Sequence, residues 1–369
     1  MALTRFLPTP SDRMGILWTL LQIEDAVILE YGTQGTTAYA MKTYSLMGMS
    51  VANKLFSTGL NENDVVMGDT ASLEKKIVEL DRNLSPKAIF VMASSVSSMT
   101  GADVKGVCHY MQKSVNARLV VFTQGGFNGD YSSGIDACYT DLIAKFSVNK
   151  YEKTNTYNIL GISSAESSAK NDVVQIKNAM KKHFGLLPQA VLAFETNLTK
   201  IQEMSQASIN IVLSYEGLKG AEILKERFGT PYVYILPVGE RATNEWLTEI
   251  ATILDVKYEY KEETPQNHID RKVLIYASYD KAVAIRKEMI ARGCSEIDTI
   301  CTHKIKQQAD IRYISGEKEK ILLFRSASNA IIFADDGMLN LSNNSNTKIN
   351  LSRSESVFQH NLLPIKKHH

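Results

Sequence analysis

Short apolar runs alternate with amphipathic stretches along most of the chain. Ten runs read as strands: AVILE (26–30), DVVMG (64–68), AIFVMA (88–93), RLVVFT (118–123), YNILG (157–161), AVLAF (190–194), INIVL (209–213), YVYIL (232–236), KVLIYA (272–277) and AIIFA (330–334). Most are continuously apolar, as parallel strands are when helices cover both faces of the sheet. Segments 134–147, 168–184, 216–227, 242–254 and 280–292 carry helix-spaced apolar positions, and Gly185, Gly229 and Gly293 stand where such helices stop. The alternation predicts an α/β protein of mainly parallel sheets flanked by helices, not a sandwich or a bundle.

Two polar segments break the rhythm, 147–156 (SVNKYEKTNT) and 257–271 (KYEYKEETPQNHIDR). As linkers they divide the chain into three expected Rossmann-like domains, 1–150, 151–260 and a short 261–369. A length of 369 residues, more than one hydrophobic core usually organises, agrees with several domains. Segment 340–350 (NLSNNSNTKIN), rich in Asn and Ser, reads as a surface loop.

With 41 basic against 40 acidic side chains the net charge is +1, so no electrostatic footprint exists for nucleic acid or an anionic membrane. No stretch approaches a membrane-spanning apolar run, and the N-terminal MALTRFLPTPSDR lacks the layout of a secretory signal, so a cytoplasmic location is expected. Cys108, Cys138, Cys294 and Cys301 are spaced for neither a disulfide framework nor a CxxC motif.

In open parallel sheets ligands gather beyond the carboxyl ends of strands. Four such loops carry glycines or hydroxyls: 31–37 (YGTQGTT), 93–101 (ASSVSSMTG), 123–134 (TQGGFNGDYSSG) and 237–243 (PVGERAT). None matches GxGxxG or a P-loop, and their glycines are read as tight turns. No GxSxG or HExxH occurs, and His303 with Cys301 and Cys294 matches no standard metal spacing. Asp12, Asp103, Asp130 and Glu240 read as helix caps or solvated carboxylates. The residues alone assign neither a metal site nor a catalytic residue.

In order, 22–40 (QIEDAVILEYGTQGTTAYA), 56–77 (FSTGLNENDVVMGDTASLEKKI), 88–104 (AIFVMASSVSSMTGADV) and 120–137 (VVFTQGGFNGDYSSGIDA) resemble the signature of the nitrogenase component 1 family. Segments 207–251 and 272–293 resemble the family's middle domain and the opening of its third. The family includes the molybdenum–iron protein subunits, their cofactor-assembly scaffold relatives and the dark-operative protochlorophyllide and chlorophyllide reductases. The resemblance implies a homologous component 1 subunit as partner and an ATP-dependent P-loop iron protein as electron donor. It also implies cluster-ligating cysteines at three points of the first domain. Here those points fall at Ser11, four residues before Gly15, at Thr36, directly after Gln34-Gly35, and at Ser95, six before Gly101. A further cysteine position of the cofactor-holding subunit falls at Ser214, which with Gly239 and Thr243 is expected to line an interdomain cleft.

Clusters are held mainly by thiolates, and every one of these positions is a hydroxyl. The expectation is that this chain alone binds no cysteine-ligated iron–sulfur cluster, and that a partner subunit supplies one. Two functions follow. In the first, the chain is an oxidoreductase subunit of a nitrogenase-like ATP-dependent complex and helps form a cluster or large-cofactor pocket with its homologue. In the alternative it is a non-catalytic scaffold or ligand-binding protein of metallocofactor assembly.

Overall fold

The computed structural model describes residues 9–46, 51, 53–259, 268–305 and 310–352. Every strand pairing in it is parallel. The first unit runs α1 (Asp12–Leu20), β1 (Ala26–Tyr31), α2 (Gln34–Leu46), β2 (Leu55–Ser57), α3 (Glu62–Met67), α4 (Ala71–Leu84), β3 (Ala88–Ala93), α5 (Ser95–Met99), α6 (Val104–Met111), β4 (Arg118–Phe122) and α7 (Tyr131–Phe146). The second runs β5 (Thr156–Leu160), α8 (Ala169–Phe184), β6 (Leu187–Val191), α9 (Leu198–Gln202), β7 (Ile209–Val212), α10 (Leu218–Phe228), β8 (Tyr232–Tyr234) and α11 (Gly239–Leu254). The third runs β9 (Val273–Ala277), α12 (Tyr279–Ala291), β10 (Ile297–Cys301), β11 (Arg312–Tyr313), α13 (Glu317–Ser326), β12 (Ile331–Ala334), α14 (Asp336–Leu339) and β13 (Thr347–Asn350).

Sheet orders are β2-β1-β3-β4, β6-β5-β7-β8 and β11-β10-β9-β12-β13. In the first two the order reverses between the first and third strands, opening a crevice at their carboxyl ends. The central strands β1, β3, β7, β9 and β12 are buried along their whole length, which is why they read as unbroken apolar runs. Helix α7 packs on α1 in the first unit and on α10 in the second, and one apolar core runs through these helices from Phe90 and Phe122 to Leu160 and Leu224.

Three local readings of the sequence are corrected. DVVMG is not a strand: Asn61 and Asp64 form a reciprocal capping box, each side chain accepting from the other's backbone N–H at 3.0 Å, and Gly68 closes the turn in the left-handed region at φ +65°. Its apolar Val66 and Met67 are exposed, and the edge strand beside β1 is instead β2. The strand read at 190–194 is shifted: β6 starts at Leu187 and ends at Val191, and Ala193 turns away with φ +62°. Pro188, which has no N–H, fits an edge strand. Segment 340–350 ends in β13, whose Thr347–Asn350 pair with Ile331–Ala334. The expected linker 257–271 lies partly outside the described residues. No helix among the described residues is long and apolar enough to cross a membrane.

Candidate functional site

At the carboxyl end of the first sheet, three loops and the start of α1 crowd together. A Cβ on Gly32, after β1, would overlap the Ser94 side chain after β3, and one on Gly125, after β4, would overlap Ser98. Only glycines permit so close an approach. At Gly126 (φ +100°) the missing Cβ would stand 3.2 Å from Ser95 Oγ and 3.3 Å from Ser11 Oγ, so two of the three expected ligand positions meet at one point. Ser95 Oγ donates to the Gly125 carbonyl at 2.6 Å, and Ser11 forms an isolated antiparallel bridge with Asp130.

Thr36 makes no hydrogen bond to either serine. It lies in the first turn of α2, with Oγ1 donating to the Thr33 carbonyl at 2.8 Å. Its connection to the other two runs through the residues beneath. Thr37 Oγ1 donates to Glu30 Oε2 and Arg13 Nε to Glu30 Oε1, each at 2.6 Å, in a buried network tying α2, β1 and α1.

No thiol stands on this wall. Cys108 and Cys138 belong to hydrophobic cores, and burial pushes the Cys108 thiol up to about 12 and the Cys138 thiol well above its ordinary value. Cys294 Sγ lies 3.3 Å from the Arg271 carbonyl, away from Cys301, whose thiol burial pushes up to about 12. Of Cys294, Cys301 and His303, which matched no metal spacing in the sequence, only Cys301 and His303 approach one another, at 3.6 Å. Among the described residues no group of three His, Cys, Asp or Glu is placed to hold a metal ion. The side chains present do not fit a thiolate-ligated cluster.

Asp103 and Asp130 do cap helices. Asp103 accepts from Gly106 N at 2.9 Å, and Asp130 accepts from Ser132 N at 3.1 Å through one oxygen and from Lys304 N at 3.0 Å through the other. The neighbouring Tyr131 hydroxyl lies 3.1 Å from His303 Nδ1 and 3.3 Å from Thr302 Oγ1. The start of α7 thus grips the loop after β10.

Ser214 follows β7 at the second crevice. A Cβ on Gly161 (φ +84°), after β5, would sit 2.5 Å from Ser214 N, so these loops also touch. Ser214 lines a cavity of about 440 Å³ enclosed by all three units, together with Trp18, Tyr131, Glu166, Glu216 and Asp280. Trp18 and Tyr131 meet edge to face with centroids 5.5 Å apart. Glu166 is ion-paired with Lys281, and Glu216 accepts from Ser132 Oγ at 2.7 Å. Asp280 accepts from Tyr234 OH at 2.5 Å and Tyr215 N at 2.8 Å, fastening α12 to the second unit.

Gly239 and Thr243 lie apart from this cavity, at the seam of α11 and α12. Gly239 (φ +81°) leaves no room for a Cβ against the Glu288 carboxylate, and Thr243 Oγ1 donates to the Gly239 carbonyl at 2.7 Å. The expected cleft is therefore divided between two places, with Asp280 lining both the central cavity and a smaller one of about 320 Å³ at the seam. Glu166, Glu216, Asp280, Trp18 and Tyr131 escape motif reading because they come from separate segments. A signal existed nonetheless: the three carboxylates each follow the first strand or the crossover strand of a sheet, β5, β7 and β9.

Burial first, and the Glu216 charge second, push the Asp280 carboxyl up to about 7 from 3.8. The folded chain holds this proton more tightly than an unfolded one, so the group's contribution to stability is full below about pH 4 and is lost as pH rises to about 7. Asp280→Asn is expected to flatten that part of the stability profile in urea unfolding measured across this range. An unaltered slope would mean that Asp280 titrates as an exposed acid does.

A family model described as nitrogenase component 1 type oxidoreductase matches residues 11–304. The chain belongs to the nitrogenase component 1 family. Among curated relatives, the nitrogenase iron-molybdenum cofactor biosynthesis protein NifE of Clostridium pasteurianum is 28% identical over 237 residues, 63% of this chain and 51% of that protein. The nitrogenase molybdenum-iron protein alpha chain of the same organism is 25% identical, over 63% of this chain and 45% of its own length. A light-independent protochlorophyllide reductase subunit of Heliobacterium modesticaldum is 24% identical over 51% of this chain and 36% of its own. The chain thus spans about half the length of the first of these relatives, and less of the others. The fold is that of solved component 1 proteins: nitrogenase Cp1 at pH 6.5 superposes with a TM-score of 0.75 at 12% identity, covering 97% of this chain and 90% of that one.

Proposed function

We propose that this chain is a component 1 subunit that holds no thiolate-ligated cluster of its own and works with a homologous, cysteine-bearing subunit. The pair encloses a cluster or large cofactor against the wall that carries Ser11 and Ser95, and an ATP-dependent P-loop iron protein supplies electrons. One observation carries this reading: hydroxyls of Ser11 and Ser95 converge on Gly126 where the family resemblance puts cysteines. A serine or threonine hydroxyl stays protonated near neutral pH unless strongly activated, and it lacks the soft, easily ionised sulfur that iron–sulfide cages take. The chain's four thiols are buried elsewhere, away from this wall.

A second reading, a scaffold of cofactor assembly without turnover, is favoured by the likeness to NifE, whose name assigns it to iron-molybdenum cofactor biosynthesis. Anaerobic purification of the chain alone and with a cysteine-complete homologue, followed by iron and sulfide analysis, tests the first reading. The expected result is a colourless isolated chain and a brown complex. Stoichiometric iron and sulfide on the isolated chain would overturn it. Reduction that needs both the complex and ATP with the iron protein separates the subunit role from the scaffold role.

A further inference from the structure

The central cavity carries a charge that its own side chains do not balance. Three carboxylates, Glu166, Glu216 and Asp280, line it from two units, and among the ion pairs of the described residues only Glu166 of the three has a cation, Lys281. The ion pairs of the described residues include neither Glu216, which is 8% exposed, nor Asp280. Glu216 has a single neutral hydroxyl donor, Ser132, and Asp280 has two neutral donors, Tyr215 N and Tyr234 OH. Buried carboxylates with only neutral donors favour a positive occupant and repel a negative one.

The rest of the lining includes apolar and aromatic side chains, Trp18, Tyr131, Ile135 and Ile162. Trp18 is 6% exposed, with its ring edge to face against Tyr131. Aromatic faces beside carboxylates are the usual setting for an organic cation. A bare metal ion does not suit it, because the described acids and imidazoles are not placed as a ligand set. A volume of about 440 Å³ lies within the usual range of small-molecule sites.

We infer that the cavity between the three units binds a small organic ammonium compound, its charged nitrogen against Glu216 and Asp280 and its apolar body against the side of the cavity lined by Trp18, Tyr131, Ile135 and Ile162. Thiolate-ligated metal–sulfide clusters and tetrapyrrole carboxylates are anionic, and the same carboxylates select against them here. The inference goes beyond the proposed subunit role: it concerns a different wall of the molecule and is read on the isolated chain without iron, so either can fail alone.

The probe is 2-phenylethylammonium, with 2-phenylethanol and 3-phenylpropionate as neutral and anionic controls of similar shape. Binding is followed by calorimetry and by the fluorescence of Trp18, one of two tryptophans in the chain. Saturable binding of the ammonium at pH 8 is expected, with each control at least about 10-fold weaker. Glu216→Gln, which retains an acceptor for Ser132, is expected to weaken it by about 10-fold or more. Proton competition at Asp280, whose carboxyl is flanked by Glu216, Glu166 and Tyr234, is expected to weaken binding about 10-fold between pH 8 and pH 6 in the unmodified chain. That series needs no variant to fold. Absence of saturable ammonium binding, propionate binding as tightly, an affinity independent of pH, or an unchanged affinity in a folded Glu216→Gln protein would each overturn the inference.

Discussion

Truncating Arg13 to alanine is expected to lower the free energy of unfolding by about 3–5 kcal/mol. Glu30 lies in the middle of the first sheet, paired by β2 on one side and β3 on the other, with its side chain 1% exposed. Arg13 and Thr37 supply the side-chain hydrogen bonds to its carboxylate. Without the guanidinium the carboxylate stays in the core with one neutral hydroxyl, and the cost is that of a stranded charge rather than of a lost contact. Arg13→Met combined with Glu30→Leu is expected to recover most of the loss, since a buried pair roughly balances its own desolvation. Urea unfolding of the two singles and the double closes the cycle. A cost below about 1 kcal/mol for Arg13→Ala would place the pair in contact with water.

Gly134→Ala is the second large effect. Helices α1 and α7 touch main chain to main chain: a Cβ on Gly134 would overlap the Asp12 carbonyl, and one on Gly15 the Tyr131 carbonyl. Backbone bonds from Tyr131 N to Pro10 O at 2.9 Å and Asp12 N to Gly129 O at 3.2 Å fix the contact at that spot. A methyl there cannot be absorbed by a flexible side chain, so the helices must separate, at a cost of about 3 kcal/mol or more. Separation also moves Ser11 from the wall and Tyr131 from the cavity, so amine binding and stability should fall together. Gly35→Ala is the control. Its Cβ would meet nothing within 4 Å, and in the first turn of α2 it should be neutral or stabilise by about 0.5–1 kcal/mol. A folded Gly134→Ala protein as stable as the parent would mean that the two helices can pack at a larger separation.

The three parallel sheets were legible because β1, β3, β7, β9 and β12 bury both faces, which forces continuous apolar runs on the sequence. Edge strands left no such mark. β2 is only three residues long (Leu55–Ser57) and the half-exposed β13 is mostly polar, while the apolar DVVMG owes its helix to a cap just outside the run. Ser11 and Ser95 were found through ordered family motifs, and their meeting at Gly126 depends on a glycine conformation that no spacing rule predicts. The central cavity was the least legible. Its acids are contributed by separate strand ends, so they become neighbours only when the units dock, and each alone has the look of a solvated loop residue.

Asp130 and Tyr131 bind the loop after β10 with a carboxylate oxygen and a phenol from the first turn of one helix. Any hinge motion that swings the third unit outward must therefore break these two side-chain contacts. Entry to the chamber is tied to the release of this clasp, and a ligand that props it open would be recorded as faster amide exchange at Lys304, whose N–H donates to Asp130.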